Sequence, residues 1–141
     1  MGHPTAIHEP AWLLRSLGIW VALILAEVLH GMARAAWLVP HVGLHRSNQI
    51  GVFSGSAIVL GVAYLGVPWV AARGNRRWLR VGLLWLVLTL AFEAGFGHFV
   101  MGQTWQRLAA DYDPAQGGML GLGMLVLALA PWWVARVRGL A

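Results

Sequence analysis

Apolar residues fill four long stretches of this chain, and short polar segments separate them. The apolar runs extend over residues 12–38, 50–72, 78–105 and 117–134. A helix of about 20 residues crosses the hydrocarbon core of a bilayer, and roughly 17 are enough. The pattern predicts an all-α membrane protein with four transmembrane helices, which form a single transmembrane domain over residues 1–141.

The composition supports this prediction. Of the 141 residues, 59% are hydrophobic and only 11% are charged, whereas soluble domains carry about 25% charged residues. The chain has no lysine, so arginine supplies every basic charge behind the net charge of +5. These arginines cluster at the ends of the apolar runs, which is typical of membrane topology. We therefore expect the lipid bilayer, and no nucleic acid, as a partner. The absence of cysteine excludes disulfides, thiolate metal sites and thiol catalysis.

The placement of arginine predicts the orientation in the membrane. The segment 73–80 carries four arginines and no acidic residue, and the C-terminal segment adds Arg136 and Arg138. The segment 40–49 has one arginine, and the segment 103–116 has one arginine against two aspartates. Because basic loops stay in the cytoplasm, both termini and the segment 73–80 are expected to be cytoplasmic. Tryptophans near the ends of the runs predict an aromatic belt at the membrane interfaces, made of Trp12, Trp37, Trp69, Trp78, Trp105, Trp132 and Trp133.

The second half of the chain repeats the first at an offset of about 65 residues. The matched pairs include Arg15 with Arg80, Trp20 with Trp85, Gln49 with Gln116, and Pro68 with Pro131, while Glu27 falls beside Glu93. The series predicts a duplicated two-helix hairpin, with repeats over residues 12–74 and 78–139. Each repeat holds two spans, so the halves would share one orientation and be related by an axis along the membrane normal.

The strongest functional signal lies in the first run, where Glu27, His30 and Arg34 interrupt an apolar sequence. At about 100° per residue, these spacings place all three on one face of a helix. A charged group near the bilayer centre costs at least about 2.5–3.5 kcal/mol, so such residues normally face a bundle interior and mark a site. The repeat brings Glu93 to the depth of Glu27 and makes His98 a rough counterpart of His30. We expect these five residues to form a proton or ligand site in the outer half of the bundle.

Several chemistries fit this set. Two ionised carboxylates at one depth repel each other, so a proton or a cation should accompany Glu27 and Glu93. Glu27, His30 and Glu93 could instead hold a divalent metal ion, because Glu-x-x-His spacing occurs in metal-binding bundles. The positive charge of Arg34 opposes a cation there and ranks the metal second. Haem is not expected, because His30 and His98 have no second histidine pair at the other side of the membrane.

Two local features bear on this site. His98 follows Glu93 by five residues, about 140° around a regular helix. The pair therefore shares no face unless the alanine–glycine string 94–97 forms a π-bulge. Gly51 and Gly55 stand four residues apart in the second run. Small residues at this spacing predict a close approach of two helix backbones.

Three strings carry a likeness that covers most of the chain. They are Gln49-Ile-Gly-Val-Phe-Ser-Gly, Leu88-Thr-Leu-Ala-Phe-Glu93 and Trp105-x-x-Leu-x-x-Asp111-Tyr. These strings resemble sequences in a group of uncharacterised small bacterial four-helix inner-membrane proteins. The resemblance implies a multi-pass protein of the bacterial inner membrane and transfers no activity. Four short helices enclose little volume, so we expect a homo-oligomer or a place in a larger membrane complex.

These features together favour a small integral inner-membrane protein with a buried Glu/His/Arg site. The site would bind a proton, a cation or a small polar ligand in a transport or accessory role. One alternative is a metal-dependent membrane enzyme that uses Glu27, His30 and Glu93. The other alternative is a purely structural subunit of a larger membrane complex. The pattern favours neither the presence nor the absence of catalysis.

Overall fold

The computed structural model describes residues 11–140, and the described chain is built from helices and short connections. Four helical stretches are long and apolar enough to cross a membrane, which confirms the prediction of a multi-pass, all-α membrane protein. These spans are Ala11–Val42, Leu44–Val70, Asn75–Val100 and Leu120–Val137.

Six α-helices, two π-helical segments and one 3-10 turn make up these spans and their connections in the described part of the chain. The α-helices are α1 (Ala11–Ala33), α2 (Val39–Val42), α3 (Leu44–Val70), α4 (Asn75–Gly95), α5 (Trp105–Ala110) and α6 (Leu120–Val137). The π-helical segments are Arg34–Leu38, which joins α1 to α2, and Phe96–Val100, which continues α4.

The first hairpin turns more sharply than the sequence predicts. The polar segment 40–49, which separates the first two apolar runs, is not a loop, because helix continues to Val42 and resumes at Leu44. Gly43 alone separates the two helices, and its φ of +86° is accessible to glycine at little cost. Pro40 lies at the start of α2, directly after the π-helical segment, where it offers no N–H to the preceding turn. The polar residues of this stretch are therefore on helix ends.

The connection before the last span is also more ordered than expected. The polar segment 103–116 contains α5 and a single 3-10 turn, Pro114–Gln116. Thr104 Oγ1 accepts the backbone N–H of Arg107 and caps α5, while Asp113 Oδ1 caps the 3-10 turn. Gly117 then adopts a φ of +78°, which ends that turn, so α6 begins at Leu120.

The four spans pack as a closed bundle. Helix α3 lies between α1 and α6, while α4 contacts α6 and completes the ring against α1. Helices α4 and α6 approach backbone to backbone at Gly82, where a Cβ atom would collide with the Ala128 carbonyl oxygen. Two indole hydrogen bonds tie α1 to α4: Trp20 Nε1 donates to Thr89 Oγ1 at 2.9 Å, and Trp85 Nε1 donates to the Ser16 carbonyl at 3.0 Å.

The tryptophans divide into two groups. Trp37, Trp69, Trp105 and Trp133 are 72%, 50%, 52% and 51% exposed, so their positions suit a membrane interface. Trp12 and Trp78 are both 0% exposed, and the belt prediction is wrong for them. Trp78 is covered where the C-terminal segment folds over this end of the bundle, because the Leu140 carbonyl accepts a hydrogen bond from Trp78 Nε1 at 3.3 Å. Trp12 packs in the core, and the Arg77 guanidinium lies over its ring.

Candidate functional site

A groove on α3 holds two of the predicted site residues, and its floor consists of glycines. A Cβ atom on Gly55 would lie 3.1 Å from Glu27 Oε2, and one on Gly51 would lie 2.6 Å from Arg34 Cζ. The close approach predicted from these glycines is therefore an approach of charged side chains to the α3 backbone. Because α1 and α3 run in opposite directions, Glu27 meets the later glycine and Arg34 meets the earlier one.

Arg34 is anchored at the start of α3. Its NH1 group donates to the Ser47 carbonyl at 2.8 Å, to Ser47 Oγ at 3.2 Å and to Asn48 Oδ1 at 3.3 Å. Ser47 itself is fully buried. The Arg34 Nε–H is also buried, but it has no hydrogen-bond partner among residues 11–140. The guanidinium is thus fixed by one nitrogen, while its Nε–H remains unpaired.

His30 connects Glu27 to α3. Its Nε2 lies 2.7 Å from Ser54 Oγ, and the Ser54 hydroxyl donates to the Ile50 carbonyl at 3.2 Å. Since the single hydroxyl proton of Ser54 is used in that bond, we assign the proton of this contact to His30 Nε2. His30 Nδ1 then faces Glu27 Oε2 at 3.6 Å. A proton between these two atoms can belong either to the carboxyl group or to the imidazole.

Glu93 approaches this cluster from α4. Its charge lies within electrostatic range of Glu27 and of Arg34. Its carboxylate makes no ion pair or side-chain hydrogen bond within the described part of the chain. Along their helices, Glu27 lies about 10 Å beyond Trp20 and Glu93 about 6 Å beyond Thr89, at 1.5 Å per residue. Both acids therefore lie on the same side of the Trp20–Thr89 hydrogen bond.

The segment after α5 extends the charged cluster towards the end of the bundle. Burial raises the pKa of Asp111, while Arg107 and His45 nearby act in the opposite direction. Burial, together with the carboxylates of Glu93 and Asp111, raises the pKa of Tyr112 to about 12. Glu93 therefore interacts electrostatically both with the charged residues in the groove on α3 and with polar residues outside the membrane spans.

His98, the fifth predicted site residue, makes its contacts elsewhere. It lies in the π-helical segment Phe96–Val100, next to the string where the sequence allowed a π-bulge. Its Nδ1–H donates to the Gln103 carbonyl at 2.9 Å. Its ring stacks on Trp105, with centroids 4.0 Å apart and planes at 17°. None of its described contacts is with the other four predicted residues.

Metal ligation was the second chemistry predicted for this region. Within residues 11–140, no three His, Asp or Glu side chains are grouped so that they could hold a metal ion. Glu27 and His30 are neighbours, but Glu93 stands apart from them as a potential ligand. The metal site of Glu27, His30 and Glu93 stays a prediction.

The sequence interpretation singled out Gly51 and Gly55 on α3 but missed Ser47 and Ser54, which bind Arg34 and His30. Ser47, Gly51, Ser54 and Gly55 form a stripe of small residues with spacings of four, three and one. This spacing follows one face of a helix and was the available signal. Two hydroxyl groups within the stripe distinguish it from a purely steric packing motif.

A comparison with known protein families, characterised proteins and solved structures finds no match to this chain.

Proposed function

We propose that this chain is a small bacterial inner-membrane protein whose groove on α3 binds a proton together with a small polar ligand. Its role is either transport or an accessory role beside a larger membrane complex. One observation carries the proposal: Glu27 Oε1 and Arg34 Nε are both buried without a partner among the described residues. An unsatisfied buried polar group costs about 1–3 kcal/mol, so an acceptor and a donor left unpaired in one groove favour a bound group.

The spacing of the groove defines the chemistry of that group. Gly51 and Gly55 are one helical turn apart, about 6 Å along α3, and they underlie Arg34 and Glu27 respectively. A group between the two side chains must accept a hydrogen bond from Arg34 Nε–H and donate one to Glu27 Oε1. Water, a hydroxyl or a carboxamide meets this requirement. A simple cation does not, because it cannot accept a hydrogen bond.

The proton is the second component of the proposal. Glu27 and His30 face each other at 3.6 Å through Oε2 and Nδ1, and Ser54 holds the opposite edge of the imidazole. With the proton on Oε2, the pair is a neutral carboxylic acid and a neutral imidazole. With the proton on Nδ1, it is a carboxylate and an imidazolium. Since Arg34 and Glu93 lie within electrostatic range of Glu27, that proton position alters the field at the ligand.

The charged cluster does not continue through the rest of the bundle. The stretches 16–26, 57–72, 81–92 and 118–135 contain no Asp, Glu, Lys, Arg or His. The Trp20–Thr89 hydrogen bond lies between the cluster and that apolar half. Asp111 lies at the polar end of the bundle and interacts electrostatically with Glu93. These features favour proton exchange between the site and one side of the membrane. They do not favour a path of side chains that carries protons across the membrane.

The orientation belongs to the same proposal. Seven arginines lie at the end of the bundle opposite the site, namely Arg15, Arg73, Arg76, Arg77, Arg80, Arg136 and Arg138. The positive-inside rule would place that end in the cytoplasm and the groove in the outer half. Reporter fusions after residue 75 and at the C-terminus should then both report the cytoplasm. A periplasmic signal at either position would contradict this orientation.

Duplication and assembly are further parts of the proposal. Both halves place a π-helical segment after their first long helix, Arg34–Leu38 and Phe96–Val100. Both also place a proline inside their second long helix, Pro68 and Pro131. These paired irregularities support a duplicated hairpin. The small size of the bundle supports a homo-oligomer or a subunit role.

The test is the pH dependence of the melting temperature of the full chain in mild detergent, for wild type and for His30→Gln. A proton shared by Glu27 and His30 should make stability vary between about pH 4 and pH 8, where these residue types ordinarily titrate. The His30→Gln variant should lose part of that variation, and chelators should change neither protein. Identical pH profiles for the two proteins would contradict the proposal. One tightly held transition-metal ion per chain, lost in both Glu27→Gln and His30→Gln, would favour the metal-dependent enzyme instead.

A further inference from the structure

The end of the bundle opposite the groove carries a second charged feature, which within residues 11–140 is formed by arginine alone. Each acidic residue of the described chain, Glu27, Glu93, Asp111 or Asp113, lies in the other half of the molecule. Five of the seven arginines at this end have an interaction partner, and Arg80 is one of them. Arg15 and Arg138 donate to the Trp69 and Tyr64 carbonyls at the end of α3, and Arg77 and Arg136 lie over the rings of Trp12 and Trp132.

Pro68 explains one of these contacts. A proline inside a helix removes the N–H that would bond to the carbonyl four residues earlier. That carbonyl belongs to Tyr64, and Arg138 NH1 donates to it at 2.5 Å. Arg138 therefore belongs to the architecture of α3 and is not free for a ligand.

Two arginines remain without such a role. Arg73 and Arg76 make no side-chain hydrogen bond, ion pair or ring contact with any residue in the described range. Both are exposed, and they flank the start of α4. Among residues 11–140, they leave two exposed guanidinium groups, three residues apart in the sequence, without a partner.

Arg73 stands at one side of a cleft of about 190 Å³. The cleft lies between the last turn of α3, the Ala71–Ala72 link, Trp78 and Leu140. Apart from Arg73, its lining is apolar or aromatic. At about 30 Å³ per water molecule in the liquid, the cleft has the room of roughly six waters. That volume suits a short length of hydrocarbon chain, and its walls offer little to a fully hydrated ion.

We propose that Arg73, Arg76 and this cleft bind an anionic phospholipid, with the phosphate on the arginines and part of one acyl chain in the cleft. Guanidinium groups bind phosphate through paired hydrogen bonds, which favours arginine for this task. The occupant must have an apolar part for the cleft and, next to it, a negatively charged group for the arginines. A phospholipid in the surrounding bilayer meets both conditions. Basic pockets between transmembrane helices are known lipid headgroup sites. The inference is independent of the groove on α3.

The experiment measures lipid binding by the full chain in mild detergent, using native mass spectrometry. The probes are phosphatidylglycerol, phosphatidylcholine with the same acyl chains, and glycerol 3-phosphate. Wild type should retain phosphatidylglycerol in preference to phosphatidylcholine and should not retain glycerol 3-phosphate. Each arginine near a membrane surface contributes about a fivefold gain in binding of anionic lipid. Arg73→Gln should therefore weaken phosphatidylglycerol binding roughly fivefold, and Arg73→Gln combined with Arg76→Gln about 25-fold.

Two control variants make the result specific. Arg46→Gln removes one positive charge at the opposite end and should leave binding unchanged, while Arg73→Lys keeps the charge and should retain most of it. An equal loss in Arg46→Gln and Arg73→Gln would show general charge attraction and overturn the proposal. Equal retention of the two phospholipids would overturn it as well. Equal binding of glycerol 3-phosphate would assign a soluble phosphate site and contradict the lipid.

Discussion

Replacement of Gly51 by alanine tests whether Arg34 lies in the groove on α3. The new Cβ atom would lie 2.6 Å from Arg34 Cζ, 2.7 Å from NH1 and 2.8 Å from Nε. The guanidinium would have to move and give up its bonds to Ser47 and Asn48. Hydrogen bonds of charged groups contribute about 1.5–3 kcal/mol, whereas alanine gains about 0.5–1 kcal/mol over glycine within a helix. The net expectation is a loss of about 1–2 kcal/mol in the free energy of unfolding.

The same helix supplies matched controls. At Gly61 an added Cβ meets nothing within 4 Å, so Gly61→Ala should stabilise the protein by about 0.5–1 kcal/mol. Gly55→Ala should fall between the two, because its Cβ would lie 3.1 Å from Glu27 Oε2. Titration with a denaturing detergent, followed by circular dichroism, gives the three free energies of unfolding. A Gly51→Ala protein as stable as Gly61→Ala would refute the groove.

Two further predictions concern other parts of the molecule. In a Tyr64→Phe background, the ultraviolet absorbance of tyrosinate should report the titration of Tyr112, with a midpoint near pH 12. The free energy of unfolding should fall as the pH rises from about 10 towards 12, because the unfolded state releases the tyrosine proton first. A midpoint near pH 10 would show that the phenol of Tyr112 is not buried. Gly82→Ala should destabilise the bundle by about 1–3 kcal/mol, because the added Cβ meets the Ala128 carbonyl of α6. Gly95→Ala, where nothing lies within 4 Å, should show no such loss.

The fold could be predicted from the sequence, but the connections could not. Long apolar runs leave a transmembrane helix as the favoured structure, because every backbone polar group must be paired in lipid. The ends of those helices depend on single residues. Gly43 turns the chain by itself, which lets the polar residues of 40–49 stay helical. The burial of Trp78 depends on a C-terminal segment that folds back over it, and no local sequence pattern predicts such a contact.

The sequence predicted the residues that α1 contributes to the candidate site, but not their contacts on α3. The spacing of Glu27, His30 and Arg34 is visible in the sequence, and the structure places all three against α3. What they meet there depends on the register of two antiparallel helices, which spacing within one helix cannot give. The place of His98 was harder still, because it depends on a π-helical segment and on the Gln103 carbonyl.

The most direct test of the central claim is infrared difference spectroscopy of the protein in lipid nanodiscs, between neutral and acidic pH. Protonation of Glu27 beside His30 should give a carboxylic-acid C=O band that disappears in Glu27→Gln and shifts in His30→Gln. Asp113→Asn is the control, because Asp113 caps a turn outside the groove and should leave that band in place. A spectrum of Glu27→Gln that matches wild type would contradict a titrating Glu27–His30 pair and with it the proposed site.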